Sequence, residues 1–101
     1  MTARYTEQAT TDIATIIRQA SSSDEKYGER LSKALERTIE RCDENPLANP
    51  RTRSPNVRRC PMKTYRYTIF YRIYAGENDI EVMRVSHSSR VRNLRRVPRS
   101  K

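Results

Sequence analysis

The spacing of apolar residues changes once along this chain, from a period of 3.6 to a period of 2, and the change falls in a proline-rich segment over 46–55. A first half that can bury only a helical stripe, followed by a second half that can bury only strand faces, confines the chain to an α+β architecture. Over 7 to about 21 the apolar positions are Ala9, Ile13, Ile16, Ile17 and Ala20, a single stripe of one helix, and Thr6 offers a capping oxygen at its start. Ser21, Ser22, Ser23 and Asp24 interrupt the stripe, and Ser22 with Glu25 three residues later has the spacing of a capping box that opens a second helix. That helix carries Tyr27, Leu31, Ala34, Leu35, Ile39 and Cys42 on one face and charged residues such as Glu29, Lys33, Glu36 and Arg41 elsewhere, until Asn45-Pro46 stops it. Two one-sided helices joined by a short polar turn predict an antiparallel hairpin.

Beyond the prolines the alternation predicts strands. Residues 57–62 form one, with Pro61 at its edge or end. Residues 65–74 form the clearest, with Tyr67, Ile69, Tyr71 and Ile73 on one face and Arg66, Thr68, Phe70, Arg72 and Tyr74 on the other. Ala75, Gly76, Glu77 and Asn78 read as a hairpin connection, and 79–87 returns as the next strand. There Ile80 and Val82 share one face while Met83 and Val85 share the other, which predicts a strand covered on both sides. With residues 1–5 as a short edge strand, the expectation is a helical hairpin packed on one face of a small antiparallel sheet. The domain spans 1–89, and a basic tail follows over 90–101.

Seventeen Leu, Ile, Val and Phe in 101 residues allow only a small core. Charge is distributed unevenly: residues 1–45 hold seven basic and nine acidic groups, whereas 46–101 hold fourteen and three. Such asymmetry points to a nucleic acid or an acidic protein partner on one side of the fold. No apolar run approaches the ~18 residues of a membrane span, and the start lacks a charged-then-apolar leader, so a cytoplasmic protein with no membrane partner is expected. Cys42 and Cys60 sit in no CxxC pattern, and with a single His they supply no usual metal-ligand set. Two glycines cannot build a phosphate-cradling loop, and no nucleophile elbow occurs, so no cofactor and no metal are expected.

Two sets of residues remain as candidates for chemistry. His87, at the end of the last strand, is the one imidazole available as general acid or base, or else it closes the sheet with a side-chain hydrogen bond. Arg58, Arg59, Arg66, Arg72, Arg84 and Arg90 lie on or beside extended segments, with Phe70 and Tyr74 on the face of Arg66 and Arg72. Guanidinium beside aromatic rings suits single-stranded RNA, suits an acidic peptide equally well, and also serves to protect strand edges from pairing.

The order of elements, and particular residues within it, resemble the RelE/ParE superfamily of toxins from toxin–antitoxin pairs, most closely the ParE branch. Thr6-Glu7-Gln8-Ala9 with Asp12-Ile13 and Ile16 resembles the first-helix pattern, and Asn45-Pro46 the helix-ending proline. Val57-Arg58-Arg59 and Tyr67-Thr68-Ile69-Phe70-Tyr71-Arg72-Ile73 resemble the central strands. The run from Asp79 through Val85-Ser86-His87-Ser88-Ser89-Arg90 resembles the terminal strand with its His-x-x-Arg ending. The resemblance implies a toxin neutralised by a cognate antitoxin in a hetero-oligomer. ParE-type members poison DNA gyrase, whereas RelE-type members cut messenger RNA on the ribosome. The absence of a His-Tyr pair, since Ser88 follows His87, favours the gyrase branch. In the alternative RNase reading, His87, Arg72, Arg84 and Arg90 would carry the catalysis. A further alternative is a non-toxic basic module that binds nucleic acid.

Overall fold

The computed structural model describes residues 3–54, 56–74 and 79–88. A two-residue strand, β1 (Arg4–Tyr5), leads into helices α1 (Glu7–Ser23) and α2 (Glu25–Glu44). A single 3-10 turn (Pro46–Ala48) and an irregular loop follow, then strands β2 (Val57–Pro61), β3 (Tyr67–Ile73) and β4 (Ile80–His87). The sheet order is β1-β4-β3-β2, with β2–β3–β4 antiparallel as the alternation predicts. The edge strand β1 runs parallel to β4, pairing Arg4 with Glu81, so the whole sheet is mixed. Among the described residues no helix is long and apolar enough to cross a membrane. The expected hairpin connection over 75–78 and the basic tail over 90–101 lie outside the described residues.

Thr6 opens α1 as its position suggests, and it also fastens the helix to the sheet. Its Oγ1 accepts the Ala9 amide at 3.0 Å and donates to the Met83 carbonyl at 2.9 Å, while its own amide donates to the Val82 carbonyl. The capping box expected at Ser22 does not form. Helix α1 continues through Ser23, and the Ser22 hydroxyl donates back to the Gln19 carbonyl at 2.9 Å. Asp24 takes both jobs instead: its amide closes α1 on Ala20, and its Oδ1 accepts the Lys26 amide at 3.0 Å to open α2. A carboxylate at the positive end of a helix is the stronger acceptor.

With a one-residue corner the two helices must approach closely, and Gly28 is where they do. A Cβ at Gly28 would lie 2.0 Å from Ser21 Oγ and 3.0 Å from Ser21 Cα. Gly28→Ala should therefore lower stability by about 1–3 kcal/mol through overpacking, despite alanine's better helix propensity. Thermal unfolding measures it, and Ser21→Gly in the same chain should recover most of the loss. A Gly28→Ala variant as stable as the parent would show that the helices can separate freely.

The hairpin places Ala9, Ile16 and Ala20 of α1 and Leu31, Leu35, Ile39 and Cys42 of α2 against Ile69, Tyr71, Ile80, Val82 and Val85 of the sheet. Burial of each large aliphatic contributes about 1.5–3 kcal/mol, so this one layer is the main source of stability. Val85 corrects the expected pattern. Phe70 faces Arg84 and Tyr71 faces Val82, which leaves Met83 as the extra residue of a β-bulge. The bulge resets the alternation, so Val85 joins Ile80 and Val82 on the core face and β4 is not apolar on both sides.

Candidate macromolecule-binding surface

The strand arginines separate into two groups once their partners are known. Arg72 of β3 stands opposite Glu81 of β4, with Nε 2.9 Å from Glu81 Oε1. Its guanidinium lies 5.4 Å from the centre of the Tyr74 ring, and Arg4 approaches the same ring at 4.3 Å. Arg84 reaches from β4 to α1, with Nε 3.2 Å from Asp12 Oδ2. Both guanidiniums are therefore engaged by carboxylates of the same fold, which diminishes the charge they present to a partner.

Asp12 is the centre of the second tie. Its Oδ2 also accepts the Val85 amide at 3.1 Å, and its Oδ1 accepts Gln8 Nε2 at 2.9 Å. Burial opposes its ionisation, but the hydrogen bonds from Gln8, the Val85 amide and Arg84 outweigh that penalty and hold its carboxyl below the usual range. The Arg84 side chain is half exposed, so the ion pair itself contributes little, and the hydrogen bonds from Gln8 and the Val85 amide carry most of the effect. A depressed folded-state pKa means that this stabilisation is fully present above the unfolded carboxylate pKa and is lost as pH falls through the folded one. Asp12→Ala should cost about 1–3 kcal/mol at neutral pH. Denaturant titrations should show the gap between variant and parent narrowing as pH falls below the ordinary aspartate pKa. A gap that is constant with pH would detach Asp12's charge from the fold.

Among the described residues, the second group has no such carboxylate partner. The loop between the 3-10 turn and β2 folds back on itself. The Thr52 amide and hydroxyl both donate to the Val57 carbonyl, at 2.9 and 3.0 Å, and the Ser54 amide donates to Thr52 Oγ1. Asn56 sits at φ 69°, in the left-handed region that asparagine tolerates better than most side chains. This turn pairs Arg51 with Arg58 in an antiparallel bridge, and Arg58 Nη1 is fixed on the Asn49 carbonyl at 2.6 Å. Arg51, Thr52, Arg53, Ser54, Asn56, Arg58 and Ile73 surround a concavity of about 370 Å³. Like charges placed opposite each other cost stability, and an anionic occupant would turn that cost into attraction.

The anchor of this loop is Tyr71. Its hydroxyl donates to the Pro46 carbonyl at 2.6 Å and accepts Asn49 Nδ2 at 3.1 Å. Burial pushes the phenol above its ordinary pKa, so it stays a donor. The core thus holds Asn49, and Asn49 in turn holds Arg58.

The other candidates fall elsewhere. Arg59 pairs with Phe70 in the β2–β3 ladder, and its amide donates to the Pro50 carbonyl. Arg66 is exposed just before β3, where its carbonyl accepts the Ser88 amide at 2.9 Å. His87 pairs with Tyr67, ring against ring, at 5.4 Å and 80°. The ladder runs from Tyr67–His87 at one end to Ile73–Ile80 at the other, so His87 and Arg72 lie near opposite ends of it, roughly 15–20 Å apart along the strands. Arg90 lies outside the described residues. The histidine is thus at one end of the sheet and the basic concavity, beside Ile73, at the other. Arg51 and Arg53 join the site although the strand alternation does not single them out. Their signal was the density of proline and arginine over 46–55.

A sequence model described as the ParE toxin of the type II toxin–antitoxin system, parDE, matches residues 3–92. No curated protein matches the chain. Among solved structures, the chromosomal ParDE toxin–antitoxin system of P. aeruginosa superposes with a TM-score of 0.73 at 13% identity, covering 86% of this chain and 95% of that one. The intact E. coli RelBE toxin–antitoxin complex gives 0.62 at 16% identity, with 84% and 93% covered. The isolated E. coli RelE toxin gives 0.60 at 16% identity, with 94% and 96% covered.

Proposed function

The chain belongs to the ParE toxin family of type II toxin–antitoxin systems, and on that footing we propose that it inhibits DNA gyrase through protein contacts in the cytoplasm and is neutralised by a cognate antitoxin. The observation that carries the gyrase reading over RNA cleavage is the distance between the arginine concavity and the imidazole. Cleavage at a ribose 2′-OH needs a base, an acid and a cation around one phosphate. Among the described residues the imidazole of His87 and the arginine concavity stand at opposite ends of the sheet. Such an arrangement suits docking better than general acid–base catalysis.

An antitoxin suits the same fold. A small core with a lopsided charge distribution gains from a partner that covers apolar surface and supplies carboxylates, and a segment that folds on binding can do both. The two activities separate in paired assays on the purified chain. Loss of gyrase supercoiling with an intact messenger in a translation extract is the expected result. Codon-phased cuts with normal supercoiling would overturn the proposal in favour of a RelE-like endonuclease. Salt-sensitive nucleic-acid binding with neither inhibition nor cuts would overturn it in favour of a non-toxic basic module.

A further inference from the structure

Arg51, Arg58 and Tyr71 stand in register across three extended segments, with Arg51 paired to Arg58 and Arg58 to Tyr71. Paired residues of antiparallel segments project to one face, so both guanidiniums rise on the Tyr71 side of the sheet. Ile73, two positions beyond Tyr71, shares that side. The turn closed by the Val57 amide on the Ser54 carbonyl at 3.3 Å brings Arg53, Ser54 and Asn56 to the same concavity of about 370 Å³. Arg58 is fixed there by its 2.6 Å bond to the Asn49 carbonyl, which occupies one nitrogen of a fork with five N–H donors. Arg51 and Arg53 are exposed at the rim.

The lining selects the ligand. Three guanidiniums, two hydroxyls and one side-chain amide surround the concavity, and Ile73 is its apolar member. These are the donors that hold nucleic-acid phosphates. No aromatic ring lines the concavity among the described residues, so nothing there stacks an unpaired base, and a single strand loses its usual platform. An acidic peptide is the competitor. One guanidinium fork satisfies one carboxylate, and an extended peptide turns side chains to a given face only about every 6.5–7 Å. Duplex DNA carries one charge per about 1.7 Å of its axis. Three cations around one hollow match the denser polyanion.

We propose that this concavity is a phosphate-binding site that grips the backbone of duplex DNA without reading its sequence. Arg58 is the fixed member, and Arg51 and Arg53 close on neighbouring phosphates from the rim. The site goes beyond the gyrase reading and does not depend on it. Where both hold, the DNA that gyrase itself works on offers the backbone, while protein contacts hold the enzyme.

The test uses the isotope-labelled full-length chain with inorganic phosphate, and then with a short fluorescent duplex. The Nε–H signals of Arg51, Arg53 and Arg58 should shift with phosphate but not with chloride at the same ionic strength. The duplex should shift them before those of Arg66, Arg72 and Arg84. Arg51→Gln with Arg53→Gln should weaken duplex binding by roughly 10-fold and lower the slope of log affinity against log salt by about 2. Arg30→Gln with Arg37→Gln removes the same charge from exposed positions of α2, and should leave the slope unchanged and the affinity within about threefold. Phosphate shifts spread evenly over all the arginines, or an equal loss of slope in both double variants, would overturn the proposal. So would a glutamate peptide of matched charge that binds the loop as tightly as the duplex, which would make an acidic protein the occupant. Supercoiling assays on the same samples separate the two readings. Inhibition without loop-dependent DNA binding removes this site alone, and loop-dependent binding without inhibition upholds the site and removes gyrase as the target.

Discussion

Tyr71→Ala should unfold most of the protein at physiological temperature. The ring is fully buried at the centre of the sheet's core face, paired with Val82 and facing the helices. Truncating a buried aromatic to alanine costs about 3–5 kcal/mol from lost transfer free energy and the cavity left behind. The two hydrogen bonds of its hydroxyl add about 1 kcal/mol each, since the Pro46 carbonyl and Asn49 amide lose a buried partner. Domains of this size rest on roughly 5–15 kcal/mol in total, so the loss removes a large share of stability. Circular-dichroism melts should show the midpoint falling by more than about 15 °C. Tyr71→Phe separates the two contributions: it keeps the ring, should cost about 1–3 kcal/mol, and should loosen the 46–50 segment without unfolding the sheet. A Tyr71→Ala chain that melts within a few degrees of the parent would show that the core closes without this ring.

How far the residues announce this arrangement depends on the range of the interaction involved. The helical stripes, the stop at Asn45-Pro46, the Thr6 cap and the three antiparallel strands are local, and each follows from spacing or a single side chain. The corner between the helices falls two residues beyond Ser22 because Ser22 and Asp24 are both competent caps, and the close approach of Ser21 to Gly28 is a tertiary contact that spacing does not show. The bulge at Met83 was invisible because period-2 alternation carries no mark of an inserted residue; the core contact of Val85 reveals it. The parallel pairing of β1 needs the full course of the chain before it can be seen. The site was partly legible. Arg58 could be singled out from its strand, but Arg51 and Arg53 become neighbours of it only through the turn at Asn56. Arg72 and Arg84 looked equivalent to Arg58 as letters, and their carboxylate partners Glu81 and Asp12 set them apart in space.

Reversing charge at Arg51 and Arg53 together should abolish target inhibition while leaving the fold intact. Both side chains are exposed on the loop, and neither contributes to the core, so the double variant should melt within a few degrees of the parent. Their field is a different matter. With Arg58 they concentrate three positive charges around one concavity, and no acidic residue lines it among the described residues. Cationic clefts of this kind raise association rates by about 10–10³-fold over neutral surfaces, and replacing attraction by repulsion adds a comparable penalty. Arg51→Glu with Arg53→Glu should therefore weaken inhibition of supercoiling by roughly 100-fold or more at low salt, with a smaller difference at high salt. Arg72→Gln serves as the comparison: its guanidinium is already held by Glu81, so its loss should change potency several-fold at most. If Arg72→Gln abolished inhibition and the double reversal left it unchanged, the contact surface would be the outer face of β3 and β4 rather than the loop. If both variants kept full potency, neither cationic region would touch the target, and recognition would rest on another surface of the chain.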